Sequence, residues 1–233
     1  MFKFFLNISK HLVFLFLLLS SNNLYSNSEE NDSLISYKGN SLFVENISSF
    51  PSWVFDNRFW DTISIIRSPD LDWNIFASNL NFFPEVSVLI IQNSALTEIP
   101  KNIVNLKKLK YLDLRGNHIR CLPRNFSKLK NLKVLDIDGN YGFQLNDNID
   151  KLINLETLYA SNIGIEVINK EIIMLKNLRM LYLKDNLLTS LPNDIYNLEN
   201  IFFVSLSNNK FSDDIKKEIK LNFKVKGVNF VEV

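Results

Sequence analysis

Residues 106–128, LKKLKYLDLRGNHIRCLPRNFSK, space their apolar side chains in a way that fits neither a helix nor a strand alone. The apolar residues alternate around Leu112 and Leu114, and the steps between them widen after Asn117. A helix repeats its apolar residues every three to four positions and a strand every two. A change of period inside one short segment is typical of a solenoid coil, in which a strand is followed by a turn. The apolar positions are Leu106, Leu109, Leu112, Leu114, Ile119, Leu122 and Phe126.

The same layout returns when 23 is added to or subtracted from each position. The register runs forward to Val204 and back to Ile66 without a gap, which predicts one stack of coils with two rows of inward side chains. The first row is Ile66, Leu89, Leu112, Leu135, Leu158, Leu181 and Val204, and the second is Ile91, Leu114, Ile137, Ala160, Leu183 and Leu206.

This pattern resembles the leucine-rich repeat family, in its 23-residue form with the consensus LxxLxLxxNxLxxLPxxI. The Leu-Pro element of the consensus stands here as Ile99-Pro100, Leu122-Pro123 and Leu191-Pro192. The resemblance implies an α/β repeat solenoid, a curved right-handed superhelix with a parallel sheet on its concave side. It also implies that the chain binds another protein and is not an enzyme.

The N-terminus has the layout of a secretory signal peptide. Lys3 and Lys10 precede an apolar run over residues 12–19, and small polar residues follow, so we expect residues 1–26 to be a signal peptide cleaved after Ser26 or Ser21. An uncleaved anchor is the alternative, but the run is shorter than the ~20 residues that a spanning helix needs. We therefore expect an exported protein, secreted, periplasmic or on the cell surface, with no stable membrane span after cleavage.

Composition limits the other functional classes. Removal of residues 1–26 takes away two lysines and no acids, leaving 24 basic and 25 acidic side chains, so nothing indicates a nucleic-acid partner. Cys121 is the one cysteine, so the fold has no internal disulfide. An exported repeat protein without disulfides fits a bacterial cell-envelope or secreted protein.

The remaining chain divides into a cap, an array of coils and a second cap. Residues 27–57 are predicted to form a polar leader, over 27–40, followed by an N-terminal cap; an aromatic ligand pocket is the alternative reading of the many aromatics over 42–83. Residues 58–211 are predicted to hold the repeats, the first of them degenerate. Residues 212–233 are predicted to be a C-terminal cap, with Ser212 as the N-cap of a helix over 213–221 and a final strand after it.

An asparagine follows the strand in most coils, where its amide can pair with backbone groups of its own coil and its neighbour. These residues are Asn117, Asn140, Asn186 and Asn209. Ser94 stands at the same position and is expected to substitute in part. Ile163 also stands there, so the ladder is predicted to break in this coil, with Asn162 displaced toward the surface and residues 152–174 locally looser.

The predicted concave face carries the candidate site. Side chains alternate across a strand, so the residues between the two inward rows point to that face. Acidic residues with an arginine beside them adjoin an aromatic strip, and exposed aromatics near charges are typical of protein-binding hot spots. The candidate partner-binding residues are Tyr111, Asp113, Arg115, Asp136, Asp138, Tyr159, Met180, Tyr182, Lys184 and Phe203.

Other chemistries have weaker support. The three aspartates are a candidate Ca²⁺ site, but such sites usually need six or more oxygens. His118 and Cys121 are too few for a zinc site within one mature chain, since no other histidine or cysteine follows residue 26. No phosphate-binding or nucleophile-elbow motif is present, so no cofactor is expected. The favoured function is a non-enzymatic binding module, and the alternative is a structural or self-associating envelope protein.

Overall fold

The computed structural model describes residues 34–56, 58–145, 148–228 and 230–233, and a ten-stranded sheet runs through this part of the chain. The strands lie in chain order, and every neighbouring pair is parallel except the first. The predicted signal peptide, residues 1–26, lies outside the described residues. The strands are β1 Leu34–Lys38, β2 Ser41–Glu45, β3 Thr62–Ile66, β4 Val88–Gln92, β5 Tyr111–Asp113, β6 Val134–Asp136, β7 Thr157–Tyr159, β8 Met180–Tyr182, β9 Phe203–Ser205 and β10 Phe230–Glu232.

Short helices return the chain on the opposite, convex side. Pro100 and Pro192 stand directly before two of them, where a fixed φ suits helix entry and the missing N–H costs nothing. This alternation of strand and short helix confirms the predicted α/β repeat solenoid. The α-helices are α1 Trp53–Asp56, α2 Trp73–Asn79 and α3 Asp213–Val225, and the 3₁₀ helices are Leu80–Phe82, Lys101–Asn105, Phe126–Lys128, Ile149–Lys151, Lys170–Met174 and Asn193–Asn197.

The two predicted inward rows form the core. From Leu89 to Val204 and from Ile91 to Leu206, every member of both rows is fully buried. Full burial of one leucine contributes roughly 1.5 to 3 kcal/mol, so these rows supply most of the stabilisation of the array. The parallel pairing of Leu112 with Leu135 and of Leu135 with Leu158 confirms the 23-residue step through this part of the chain.

The register fails at the N-terminal end, where we predicted that Ile66 would align with Leu89. The structure pairs Ile63 with Leu89, so this coil is three residues longer than predicted. Its convex side holds α2 and the 3₁₀ helix that follows, over residues 73–82, where the regular coils have three to five helical residues. The longer convex segment takes up the extra residues while Trp60 and Phe76 remain buried.

The N-terminal cap begins earlier than predicted. We expected residues 27–40 to be a loose leader, but 34–38 form an edge strand in a hairpin that turns at Gly39, with φ +58°. Ile35 of this strand packs against the core. The strand was not predicted because residues 27–40 are mostly polar, although apolar and polar side chains alternate briefly near the end of this segment.

The aromatic residues of the cap pack against one another. The rings of Phe50 and Phe76 stack with centroids 5.7 Å apart, and Phe55 lies 5.7 Å from Phe50. The buried Trp60 indole donates a hydrogen bond to the carbonyl of Val54 at 3.0 Å. The aromatics of the cap thus pack together, and Phe50 and Phe55 also pack against the core.

The C-terminal cap closes the other end. α3 begins after Ser212, whose Oγ accepts a hydrogen bond from the Ile215 amide, as predicted. The helix continues to Val225, four residues beyond its predicted end, because Phe223 provides a further inward contact, 4.9 Å from the ring of Tyr196. The final strand therefore begins only at Phe230, and it pairs with β9. Among the described residues, none of the helices is both long and apolar enough to cross a bilayer.

The asparagine ladder is present and breaks where predicted. Asn117 accepts hydrogen bonds from the amides of Ser94 and Leu96 and donates to the carbonyls of Ile91 and Leu114. The ladder continues toward the N-terminus through serine, since the Ser94 hydroxyl accepts from the Ser68 amide. In the broken coil the buried side chain of Ile163 has no amide group, and the Gly142 amide donates instead to the backbone carbonyl of Ile163 at 2.8 Å. Asn162 is exposed.

Candidate functional site

The parallel register brings the candidate residues together on the concave face. Asp113 pairs with Asp136, Asp136 with Tyr159, and Tyr159 with Tyr182, so four strands contribute one continuous column. The predicted neighbours on this face are therefore confirmed. We use the name concave patch for Tyr111, Asp113, Arg115, Asp136, Asp138, Tyr159, Met180, Tyr182, Lys184 and Phe203.

Three aromatic rings of the concave patch form a stack. The centroids of Tyr159 and Tyr182 lie 4.4 Å apart with an interplanar angle of 17°, and those of Tyr182 and Phe203 lie 5.0 Å apart at 38°. This separation follows from the spacing of neighbouring strands, about 4.8 Å. The half-buried Tyr182 ring thus lies between two neighbours, stacked on Tyr159 and tilted against Phe203. The Tyr182 hydroxyl also lies 3.9 Å from the sulfur of Met180.

Two aspartates of the patch are buried, which corrects the expectation that they are exposed on the surface. Asp113 is 1% exposed and Asp136 is 3% exposed. Asp113 accepts hydrogen bonds from Gln92 Nε2 at 2.7 Å and from Arg115 Nη2 at 2.6 Å. The charges that reach solvent at the two ends of the patch are instead Arg115 and Lys184, each with a side chain 48% exposed.

Asp136 is less well paired than Asp113. Its Oδ1 accepts from the Asp138 amide at 3.0 Å, and its Oδ2 lies 3.7 Å from Arg115 Nε. Burial, together with the carboxylates of Asp113 and Asp138, raises the pKa of Asp136 to about 8, and the Arg115 guanidinium opposes this shift. One arginine therefore serves two adjacent buried carboxyl groups, and Asp136 holds a proton near neutral pH.

The other carboxyl and phenol groups of the patch are shifted in the same direction. Burial raises the pKa of Asp138, against the opposing hydrogen bonds from Ser161. Burial also raises the pKa of Tyr111, and the carboxylates of Asp113 and Asp136 add to this shift. The tyrosines of the patch thus stay neutral at physiological pH.

Replacing Asp136 by asparagine tests the proton on this residue. An unfolded aspartate loses its proton near pH 4, whereas Asp136 in the folded chain keeps its proton to about pH 8, so folding takes up a proton between these values. The free energy of unfolding of the wild type therefore falls as pH rises through this range. We expect Asp136→Asn to gain stability relative to wild type from pH 5 to pH 8, measured by urea unfolding. Asp70→Asn makes the same exchange at an exposed position outside the concave patch and is the matched control.

The acidic residues do not make a metal site in this geometry. Among residues 34–56, 58–145, 148–228 and 230–233, no group of three or more histidine, cysteine, aspartate or glutamate side chains is placed to hold an ion. The Arg115 guanidinium occupies the space between Asp113 and Asp136 that a cation would need. His118 and Cys121 are both exposed, on the turn that follows the strand.

Sequence reasoning missed the residues that support the patch. Gln92 lies beside Asp113 and fixes its carboxylate, and the Ser161 amide donates to Asp138. Both residues belong to the same surface column as Arg115, at steps of 23 residues, so the register located them without indicating their role.

Comparison with known proteins adds two family matches. A family model described as "Leucine-rich repeat region" matches residues 85–163, and one described as "Leucine rich repeat" matches residues 153–211. Together the two matches cover β4 to β9, the part of the chain that contains the whole concave patch. A search of curated proteins found no match.

Proposed function

We propose that this chain, which belongs to the leucine-rich repeat proteins, is a non-enzymatic module that binds a protein or peptide on its concave patch. The repeats of this family generally mediate protein–protein interaction. The observation that carries this proposal is the stacked column of Tyr159, Tyr182 and Phe203 on an accessible sheet face. Stacking already restricts these rings before binding, so they lose little side-chain entropy when a partner docks.

The polar groups around the column suit recognition of a polypeptide. The ring edges carry a partial positive charge, and the Tyr182 hydroxyl stands beside them, so the column favours hydrogen-bond acceptors such as peptide carbonyls. Arg115 and Lys184 reach solvent at the ends of the patch and can orient the partner. Asp113 and Asp136 lie beneath the surface, where their ion pairs hold Arg115 in place.

We also propose that the protein is exported and meets its partner outside the cytoplasm. The support is in the sequence, where two lysines precede the apolar run over residues 12–19 and small polar residues follow. The near balance of basic and acidic side chains supports a protein partner in preference to a nucleic acid.

Removing the two central rings tests the binding site. We expect Tyr159→Ala combined with Tyr182→Ala to weaken partner capture by at least ~100-fold, because hot-spot aromatics typically contribute 2 kcal/mol or more each. The measurement is a quantitative pull-down with the wild type and the variant as paired baits, followed by calorimetry on the captured protein. Circular dichroism of the variant verifies that the array remains folded.

Tyr141→Ala is the matched control, since this tyrosine is 68% exposed and lies in a turn away from the sheet. It should capture the partner as well as the wild type does. Equal loss in both variants, or unchanged capture by the double variant, would place the binding site elsewhere. Light scattering over a concentration series separates this function from self-association, which predicts a mass that grows without any added partner.

A further inference from the structure

The outer side of α3 carries two exposed aliphatic residues. Leu221 is 60% exposed and Val225 is 74% exposed, and they lie four residues apart on one stripe of the helix. The opposite stripe holds Ile219 and Phe223, which are buried against the last coil. The helix would cover that end of the core equally well with polar residues at positions 221 and 225, so these two side chains are not needed for the cap.

Lysines flank this aliphatic pair on one side. Lys220 and Lys224 lie beside it on the helix, and Lys226 follows the last turn, where its ammonium donates to Asn197. Residues 213–226 hold five lysines against three acids, and all three acids precede Lys220. Two of those acids already form ion pairs with lysines one turn further along the helix. The third acid, Glu218, lies one turn before Leu221. The C-terminal half of α3 therefore presents an apolar pair with lysines along one flank and no acid after Glu218.

We propose that the outer face of α3 rests on an anionic lipid surface, with Leu221 and Val225 entering the headgroup region and Lys220 and Lys224 facing the lipid phosphates. A helix with lysines beside an aliphatic stripe is the usual form of an interfacial helix. This contact is additional to the proposed binding of a polypeptide on the concave patch.

The same observations favour a lipid surface over a second protein. Protein interfaces are depleted in lysine and enriched in tyrosine, tryptophan and arginine, whereas the outer face of α3 has lysine and no aromatic residue. The contact of Phe223 with Tyr196, which belongs to the 3₁₀ helix Asn193–Asn197, places α3 on the convex side of the last coil. The concave patch therefore remains open when the helix lies on a membrane.

A fluorescent label on the helix tests the contact. The label is attached at Val225→Cys in a Cys121→Ser background of the full chain, so it reports on α3 and not on the apolar run near the N-terminus. We expect a blue shift on addition of vesicles of phosphatidylcholine with phosphatidylglycerol, and none with phosphatidylcholine alone. Raising the salt concentration should weaken the response, because it screens the lysines.

Two variants of the labelled protein separate the charge from the apolar contact. Lys220→Glu with Lys224→Glu should lower the partition coefficient at least ~25-fold, and Leu221→Ser should lower it roughly tenfold. Lys101→Glu with Lys170→Glu makes the same charge change at exposed convex positions and should leave the response nearly unchanged. Thermal unfolding of each variant verifies that the cap is intact.

The proposal is overturned if the label does not respond to the anionic vesicles, or if it responds equally to neutral ones. It is also overturned if the Lys101 and Lys170 variant loses the response as fully as the Lys220 and Lys224 variant. A response to soluble polyglutamate without a response to vesicles would assign the face to an acidic polypeptide instead. Each of these results leaves the binding test on the tyrosines of the concave patch unaffected.

Discussion

The variant Leu135→Asp is expected to abolish cooperative folding of the repeat array. Leu135 is fully buried in the middle of the first inward row, between Leu112 and Leu158. The substitution removes the contacts of a core leucine and buries a carboxylate without a partner, which together cost at least about 5 kcal/mol. Domains of this size are stable by about 5 to 15 kcal/mol, so the loss is comparable to the whole free energy of unfolding.

Circular dichroism and urea unfolding measure this effect. In a solenoid each coil contacts only its neighbours, so a defect in the centre separates the stack into two shorter ones. We expect the single wild-type transition to disappear or to split. Ile153→Asp is the matched control, because Ile153 is 46% exposed and its carboxylate would remain in water. A Leu135→Asp protein with the melt of the wild type would show that the inward row does not carry the stability of the fold.

The regular coils were predictable because their side chains repeat at a fixed step and each inward position has one physical requirement. A leucine at position 112, 135, 158 or 181 must be buried wherever the coils stack. The prediction failed where another element replaced the regular one. The longer convex segment over residues 73–82 shifted the pairing of β3 by three residues, and a count of apolar positions does not detect a helix that lengthens one coil.

The sequence predicted which residues form the concave patch, but it did not predict how far each side chain is exposed. Register placed Asp113 beside Asp136 and Tyr159 beside Tyr182. Alternation along a strand separates the core face from the outer face, but it does not say whether longer neighbours cover a short side chain. Arg115 lies against both aspartates, and Gln92 donates to Asp113, so the carboxyl groups are buried although they belong to the outer face.

This burial changes the chemistry expected of the site. Sequence alone predicted an acidic cluster with Arg115 beside it, whereas the aspartates at 113 and 136 are buried and Arg115 and Lys184 are exposed. The proton held by Asp136 reduces the negative charge further near neutral pH. The buried acids therefore position the arginine, and the surface offered to a partner combines aromatic rings with Arg115, the half-buried Asp138 and the Lys184–Asp185 ion pair.

A second ladder of asparagines escaped sequence analysis. Asn131, Asn154, Asn177 and Asn200 recur at the same 23-residue step, and the side-chain amide of each donates to a backbone carbonyl 24 residues earlier. These residues are exposed, so polarity at their positions suggested only solvation. Their regular spacing was the signal that would have identified them.

Asn186→Ala is expected to destabilise the protein more than the loss of any other ladder residue, because the neighbouring coil has no inward asparagine of its own. Asn186 Oδ1 accepts from the amides of Ile163, Gly164 and Ile165 at 3.0 to 3.3 Å. Its Nδ2 donates to the carbonyls of Ala160 and Leu183, both at 2.9 Å. Leaving a buried polar group unpaired costs about 1 to 3 kcal/mol, so we expect a total loss of about 3 to 5 kcal/mol in urea unfolding.

Hydrogen exchange shows where this loss arises. The coil over residues 152–174 has Ile163 at its ladder position, so the amides of residues 163–165 depend on Asn186 alone among the ladder side chains. In Asn186→Ala these amides should exchange much faster than those of the turn at Asn117. Asn177→Ala is the matched control, because this exposed asparagine makes one hydrogen bond, to the Ile153 carbonyl, and water can replace it at a cost within about 1 kcal/mol. Equal destabilisation by the two substitutions would mean that the inner ladder contributes no more than the outer one, and that the side chains at 163 and 186 do not determine the stability of this coil.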